Sequence, residues 1–366
     1  MKKVLSIYFI RLFFIFSIAY IAGFLLPYKG FFPYKELLNV YNLPIFIKAF
    51  ANFDGLHYIS IAQSGYYQYQ QAFFPLYPII IRVVAIFVGK NYLISGLLIS
   101  NLSFLLACIV MYKLLHLLKY QNVPWFILLL FLFPSSFYFS TVYTESFFLL
   151  LFLLVIYLHL KKKYWISAIF SFFCVLTRLI GLFTLIFYLP FKKKQSSIVW
   201  LIIFPIFGLI IYMIYLFLTV QDPLFFLNSQ PIFGAHRSTS LIFLPQVYYR
   251  YLKIFITANK DNAYFTALIE FFIFNFVFFI LILDFKKRYK TNIELTLLNI
   301  FSLVNLILPT LTGTFSSIPR YAVMSLSIFF YLGELKNRSI KIIIAVLFFC
   351  LQVIMLSLFI QGYFIG

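Results

Sequence analysis

Acidic side chains are few in this chain: nine Asp and Glu in 366 residues, against 29 Lys and Arg. Charged residues of either sign make up only 10%, where a soluble globule carries roughly a quarter. With 64% hydrophobic residues and a mean hydropathy of +1.02, an ordinary water-exposed surface is excluded. Cysteine is scarce as well. Cys108, Cys174 and Cys350 are odd in number and lie in apolar runs, so no disulfide framework follows. There is no HExxH, no paired Cys, no Walker loop and no dinucleotide fingerprint, and the triplet that would be DxD reads Asn52-Phe53-Asp54. A nucleotide-dependent cytoplasmic reaction has no support, and no metal or other cofactor is expected.

What is present is a series of long apolar runs. Residues 12–26, 198–220 and 341–360 approach or reach the roughly 20 residues that cross a bilayer as helix, and they do not alternate as barrel strands would. The expected fold is an all-α polytopic membrane protein. The net charge of +20 records topology rather than a nucleic-acid partner. Eighteen of the 29 basic residues fall in six places: Lys2, Lys3 and Arg11; Lys113 and Lys119; Lys161, Lys162 and Lys163; Lys192, Lys193 and Lys194; Lys286, Lys287, Arg288 and Lys290; Lys336, Arg338 and Lys341. Each place ends an apolar run, as positive residues held in the cytoplasm do. The opening MKKVLSIYFIRLFFIFSIAYIAG has a charged start and a long apolar part, and it reads as an uncleaved first helix.

With the six basic places inside, the topology becomes about eleven transmembrane helices in one membrane-embedded domain, 1–366, with external loops at about 27–91, 221–262 and 312–320. Residues 79–88 are too short to cross and carry Arg82, so they are expected to lie on the surface or re-enter. Residues 164–191 sit between two triple-Lys turns. They must therefore go out and back as two short halves broken near Thr177, Arg178 and Gly181, which requires burial in protein or a cavity at that depth. Residues 321–335 are read as a crossing helix. No internal repeat and no soluble domain is visible.

The loops drawn outside hold most of the unusual polar side chains: Asp54, His57, Gln71, Glu145, Arg178, Asp222, His236, Arg237 and Arg320. An enzyme acting there on a lipid-linked sugar phosphate needs a carboxylate to take a proton from an acceptor hydroxyl and fixed cations for the departing phosphate. Asp54 fits the first need, with His57 one helical turn on. Arg178 and Arg320, each at a break between apolar segments, fit the second. Gln71, Tyr143, Glu145 and Tyr321 are candidates for the substrate pocket. The plainer readings stand beside these. Asp54 caps a helix beginning near Leu56, Arg178 and Arg320 snorkel to an interface, and Glu145 sits in a favourable helix dipole.

Several segments, in order, resemble the PIG-V family of glycosyltransferases, the group that includes GPI mannosyltransferase 2 and bacterial relatives. They are FDGLHYISIAQSGYY with QAFFPLYPIIIR, FPSSFYFSTVYTESFF, TRLIG, QDPLFFLNSQ and SIPRYAV, and they cover most of residues 50–331. The resemblance implies a GT-C helical bundle with a long first external loop carrying the catalytic Asp. It also implies a polyprenyl-phosphate mannose, or another hexose, as donor. Asp54 and His57 match the family's Trp-Asp-x-x-His, with Phe53 in place of Trp. The expected activity is inverting sugar transfer to a glycan, lipid or protein hydroxyl, with Asp54 as general base and the site facing outside. Richness in Phe, Ile, Tyr, Lys and Asn suggests a prokaryotic plasma membrane, so the GPI acceptor is not carried over. The alternative from another class is a transporter or flippase of lipid-linked sugars.

Overall fold

The computed structural model describes residues 2–26, 28, 30, 32, 35–188, 197–234 and 237–365. Lys192, Lys193, Lys194 and His236 lie outside the described residues. Among the described residues every regular element is helical. Among the described residues six helices are long and apolar enough to cross a membrane: Val4–Leu25, Tyr92–Leu117, Leu201–Val220, Asn262–Arg288, Ile293–Thr312 and Arg338–Ile360. Five further apolar helices are 10–17 residues long, below the length that spans hydrocarbon unaided. The chain is an all-helical integral membrane protein divided into two compact units. One comprises Met1–Val123, Phe137–Phe226 and Val353–Tyr363; the other comprises Pro124–Ser136, Leu227–Gln352 and Phe364–Gly366.

In the first unit, helix Tyr92–Leu117 is the hub, packed against Lys2–Leu25, Leu76–Phe87 and Glu145–Leu160. Its buried face runs through Gly96, Ser100, Ser103 and Ala107, small residues at three-to-four spacing that let backbones approach where lipid offers no hydrophobic contrast. Leu98, Leu102 and Leu106 point outward, as a lipid-facing stripe does. A Cβ on Gly96 would run into Val142, which makes the closeness of that contact depend on glycine.

The expected short helix near residues 79–88 is Leu76–Phe87, with Ile79, Val83, Ile86 and Phe87 exposed along one side and Tyr77, Ile81 and Ala85 buried on the other. Arg82 turns back and donates to the carbonyls of Ala62 (2.5 Å) and Ile61 (3.3 Å), at the end of helix Asp54–Ser64.

The break expected near Arg178 is present. Helix Tyr164–Thr177 ends where Arg178 takes an extended conformation, and a tight 3₁₀ run, Leu179–Tyr188, packs back on it. Gly181 makes this return possible, because a Cβ there would overlap the backbone of Cys174 and Val175.

Not every residue of the six basic places sits in water: Arg11, Arg288 and Lys341 are buried. Arg11, grouped with the cytoplasmic lysines, is buried within the first helix; it donates to Ser140 Oγ (3.1 Å) and stacks over Phe104 at 4.6 Å. Buried polar partners, not an aqueous end, hold this charge.

In the second unit, helix Asn262–Arg288 packs against Ile293–Ile307, Leu244–Thr257 and two short helices, Ile318–Ala322 and Ser327–Gly333. Residues 321–335, read as one crossing helix, are thus interrupted. Ser325 Oγ donates to the Ser302 carbonyl at 3.1 Å and Asn305 Nδ2 to the Tyr321 carbonyl at 2.7 Å, side-chain and backbone bonds that compete with a continuous helix. Residues 124–140 also divide, into helix Val123–Leu132 and the 3₁₀ turn Ser136–Ser140, at Pro134, which has no N–H to continue the ladder. Gln352 Nε2 donates to the carbonyls of Phe131 (3.0 Å) and Phe133 (3.1 Å) that the break leaves over. Arg288 bonds Asp284 (3.1 Å) and Glu334 (2.6 Å), and Lys287 shares Glu334 (2.6 Å), so part of the basic turn at 286–290 is tied into an ion-pair network.

Candidate functional site

The Asp54 loop is built on an unusual backbone. Phe53 has φ +57°, a region uncommon for a bulky side chain, and it lies immediately before the helix Asp54–Ser64. The helix begins at Asp54 itself rather than near Leu56, and Phe53 occupies the N-cap position without a side-chain cap bond. Asp54 is therefore in the first turn, where the helix dipole favours the ionised carboxylate. Strain at Phe53 is offset by its surroundings: the ring sits 5.0 Å from Phe32 and 5.8 Å from Phe359, and Asn52 Nδ2 donates to the Phe359 carbonyl at 3.0 Å.

Residues 142–145 brace this loop. Val142 N–H donates to the Phe50 carbonyl (2.9 Å), and the buried Tyr143 donates its hydroxyl to the Asn52 carbonyl (2.9 Å). A Cβ on Gly55 would lie only 3.2 Å from the Val142 carbonyl. The brace is itself anchored, since Ser100 Oγ donates to the Tyr143 carbonyl (3.3 Å) and pairs with Tyr77 Oη (2.7 Å). Two residues on from Tyr143, Glu145 opens helix Glu145–Leu160 and takes Arg178 Nη1 on its Oε1 at 2.9 Å, with the two side chains 1% and 10% exposed. Arg178 also lies over the Phe148 ring, 5.8 Å from its centroid. Four of the sequence-derived candidates, Asp54, Tyr143, Glu145 and Arg178, thus belong to one braced assembly in the first unit.

His57 is half-buried on the Asp54 helix, its ring stacked on Phe73 at 5.0 Å. Burial holds the imidazole below its ordinary value, while the Asp54 carboxylate pulls it back up. Gln70 Nε2 lies 3.3 Å from its Nδ1, so the neighbour of the candidate Gln71 meets the ring. Gln71 is buried too. Its carbonyl accepts from Tyr212 Oη (2.6 Å), and its side-chain Oε1 has no hydrogen-bond partner among the described residues. Asp222 turns its Oδ1 onto the Leu224 N–H at 2.9 Å.

Arg320 and Tyr321 lie in the second unit, on the short helix Ile318–Ala322, with the buried Arg320 guanidinium 5.7 Å from the Tyr321 ring centroid. The turn before them is closely held. Ser317 is in the left-handed region at φ +68°, its N–H donates to Glu270 Oε1 (3.2 Å), and its hydroxyl accepts from Arg237 Nη2 (3.3 Å). Tyr251 Oη donates to Glu270 Oε2 (2.9 Å) and accepts from the Phe315 N–H (3.0 Å), while Arg250 Nη1 donates to the Gly313 carbonyl (3.0 Å). Glu270 was missed in the sequence because it sits inside a long apolar run. The available signal was its rarity, since an acid within a span is a functional candidate by default.

Fold and site together define a helical membrane protein with a strained, braced acid–histidine loop. No family model matches the chain, and no solved structure matches it. The chain is similar to GPI mannosyltransferase 2 of Drosophila pseudoobscura pseudoobscura, with 32% identity over 132 residues, 33% of this chain. The match spans 28% of that protein's length. The resemblance to PIG-V-like mannosyltransferases carried by the ordered segments is matched by this similarity.

Proposed function

We propose that this protein is a glycosyltransferase of the mannosyltransferase type. It moves mannose or another hexose from a polyprenyl-phosphate donor to an acceptor hydroxyl at the outer face of a prokaryotic plasma membrane. Asp54 takes the acceptor proton, the acceptor oxygen forms a bond to the anomeric carbon with inversion, and the bond to phosphate breaks with its electron pair leaving on the lipid phosphate. That phosphate departs as an anion, so no general acid is needed. Arg178 offsets its charge, and His57 aids it by hydrogen bonding. Arg320, an Arg at a break between short apolar segments, is assigned to the donor phosphate, and Tyr321 to the substrate pocket. Gln71 and Glu145 line the sugar side, and Tyr143 holds the Asp54 loop. The proposed step uses no metal, since Asp54 has Asn52 where the first acid of a DxD pair would stand. The eleven-span GT-C bundle, with residues 1–366 as one catalytic domain, belongs to the same proposal.

The observation that carries the reading is the meeting of three separate sequence segments on residues 142–145: the Asp54 loop, the Glu145 helix and the Arg178 break. Similarity to a named mannosyltransferase supports the sugar. Purified protein in liposomes, given radiolabelled polyprenyl-phosphate mannose and a panel of hydroxyl acceptors, should release polyprenyl phosphate in step with labelled product. Movement of intact donor between leaflets without bond cleavage would instead favour a flippase.

A further inference from the structure

Gln70 is 8% exposed and fixed at both ends of its amide. Its Oε1 accepts the Tyr67 backbone N–H at 3.1 Å. A backbone N–H only donates, so this contact identifies the oxygen, and the amide NH₂ is the end 3.3 Å from His57 Nδ1 and 3.4 Å from Ser60 Oγ. An amide NH₂ only donates in turn. His57 Nδ1 therefore presents its lone pair, and a neutral imidazole with that nitrogen bare carries its proton on Nε2.

The segment bearing Gln70 is held in place independently of His57. Tyr69 adopts φ +72° before the 3₁₀ turn Gln70–Ala72. Tyr66 Oη donates to the Phe73 carbonyl at 2.7 Å, and Tyr212 Oη donates to the carbonyls of Gln71 (2.6 Å) and Phe73 (3.3 Å). Phe73 then lies flat against the imidazole, 21° from parallel.

We propose that Gln70 is a positioning residue that locks His57 as the neutral Nε2–H tautomer, making His57 a hydrogen-bond donor to an anionic phosphate oxygen of a lipid-phosphate substrate. The substrate half of this inference rests on the function proposed above; the tautomer half does not. It separates the roles of the two neighbouring groups. With its Nδ1 lone pair engaged by Gln70, His57 does not compete with Asp54 for the acceptor proton, and the carboxylate alone serves as base. The lowering of the imidazole's proton affinity by burial agrees with a group that stays neutral.

The test is nitrogen NMR of full-length protein with ¹⁵N-labelled histidine in nanodiscs, the His57 signals being assigned by their loss in His57→Gln. The expected spectrum has a bare Nδ1 and a protonated Nε2. Gln70→Glu, which replaces the donor by an acceptor, should move the proton to Nδ1 or charge the ring. Gln70→Leu should give a mixture of tautomers. A protonated Nδ1 in the unaltered protein, or an unchanged tautomer in Gln70→Glu, overturns the assignment. Addition of a short-chain polyprenyl phosphate should perturb Nε2 and leave Nδ1 still; a shift confined to Nδ1 overturns the donor role. In a transfer assay Gln70→Leu should lower kcat by about tenfold, the scale of one lost hydrogen bond, with the donor KM little changed. Absence of any transfer by the unaltered protein, with the tautomer as described, refutes the function and leaves the Gln70–His57 assignment standing.

Discussion

Arg178 Nη1 and Glu145 Oε1 lie 2.9 Å apart, 33 residues apart in sequence, and the pair joins the broken segment at Thr177 and Arg178 to the brace that holds the Asp54 loop. Removing one member strands the other charge in a buried setting, which costs about 3–5 kcal/mol. Glu145→Gln should therefore lower stability in detergent by that amount, read by chemical denaturation. Glu145→Gln combined with Arg178→Met should cost less than the two single changes together. Strict additivity would show that the pair is not coupled.

Gly181 tests the return of the chain at Arg178. Gly181→Ala places a methyl group into the backbone of Cys174 and Val175, so the 3₁₀ run must move away from its helix. Overpacking of this kind costs about 1–3 kcal/mol. Thermal unfolding in detergent should fall accordingly, whereas Gly65→Ala, where a Cβ meets nothing within 4 Å, should show only the strain of its φ of +89°.

His57 gives the Asp54 helix a dependence on pH. Its folded value is below the ordinary 6.5, chiefly through burial and against the pull of Asp54. Above 6.5 the ring is neutral whether folded or unfolded, and its contribution to stability is fully present. As pH falls below 6.5 the unfolded chain binds a proton that the folded site resists, and stability is lost down through the folded value. Melting temperature should drop on acidification across this window, and His57→Gln should flatten the drop. A steeper loss in His57→Gln would contradict the direction.

Glu270 should govern the turn that carries Arg320. It accepts from Tyr251 Oη and the Ser317 N–H, both buried. Glu270→Ala strands the Ser317 N–H, and Tyr251→Phe strands Glu270 Oε2 and the Phe315 N–H, at about 1–3 kcal/mol for each buried group left unmatched. Both variants should melt below the unaltered protein. Protection of residues 313–317 from hydrogen exchange should fall in both, and full protection in either would contradict the role of this network.

Much of this was legible in the sequence wherever the signal is local. Long apolar runs mark spanning helices, the spacing of two triple-Lys turns requires a break, and Arg178 with Gly181 marks its place. The first Asp of the chain, followed at once by Gly55 and one helical turn on by His57, marks the loop. What was not legible depends on which side chains meet. Gln70 and Gln71 are indistinguishable by type, and only the 3₁₀ turn decides which faces His57. Tyr143 reads as a pocket residue until its hydroxyl is found on the Asn52 carbonyl. Arg11 reads as a cytoplasmic anchor because nothing local shows Ser140 beside it. Glu270 is one acid in a run of Phe and Ile, and its partners come from residues 251 and 317.

The central claim is that Asp54 is the base of a sugar transfer. The most direct measurement is single-turnover transfer from radiolabelled polyprenyl-phosphate mannose by the unaltered protein and by Asp54→Asn, reconstituted in equal amounts with equal melting temperatures. General-base catalysis contributes about 10²–10⁴-fold. The account predicts a loss of at least that lower factor in Asp54→Asn, with donor binding retained. Transfer by Asp54→Asn at the unaltered rate would contradict it.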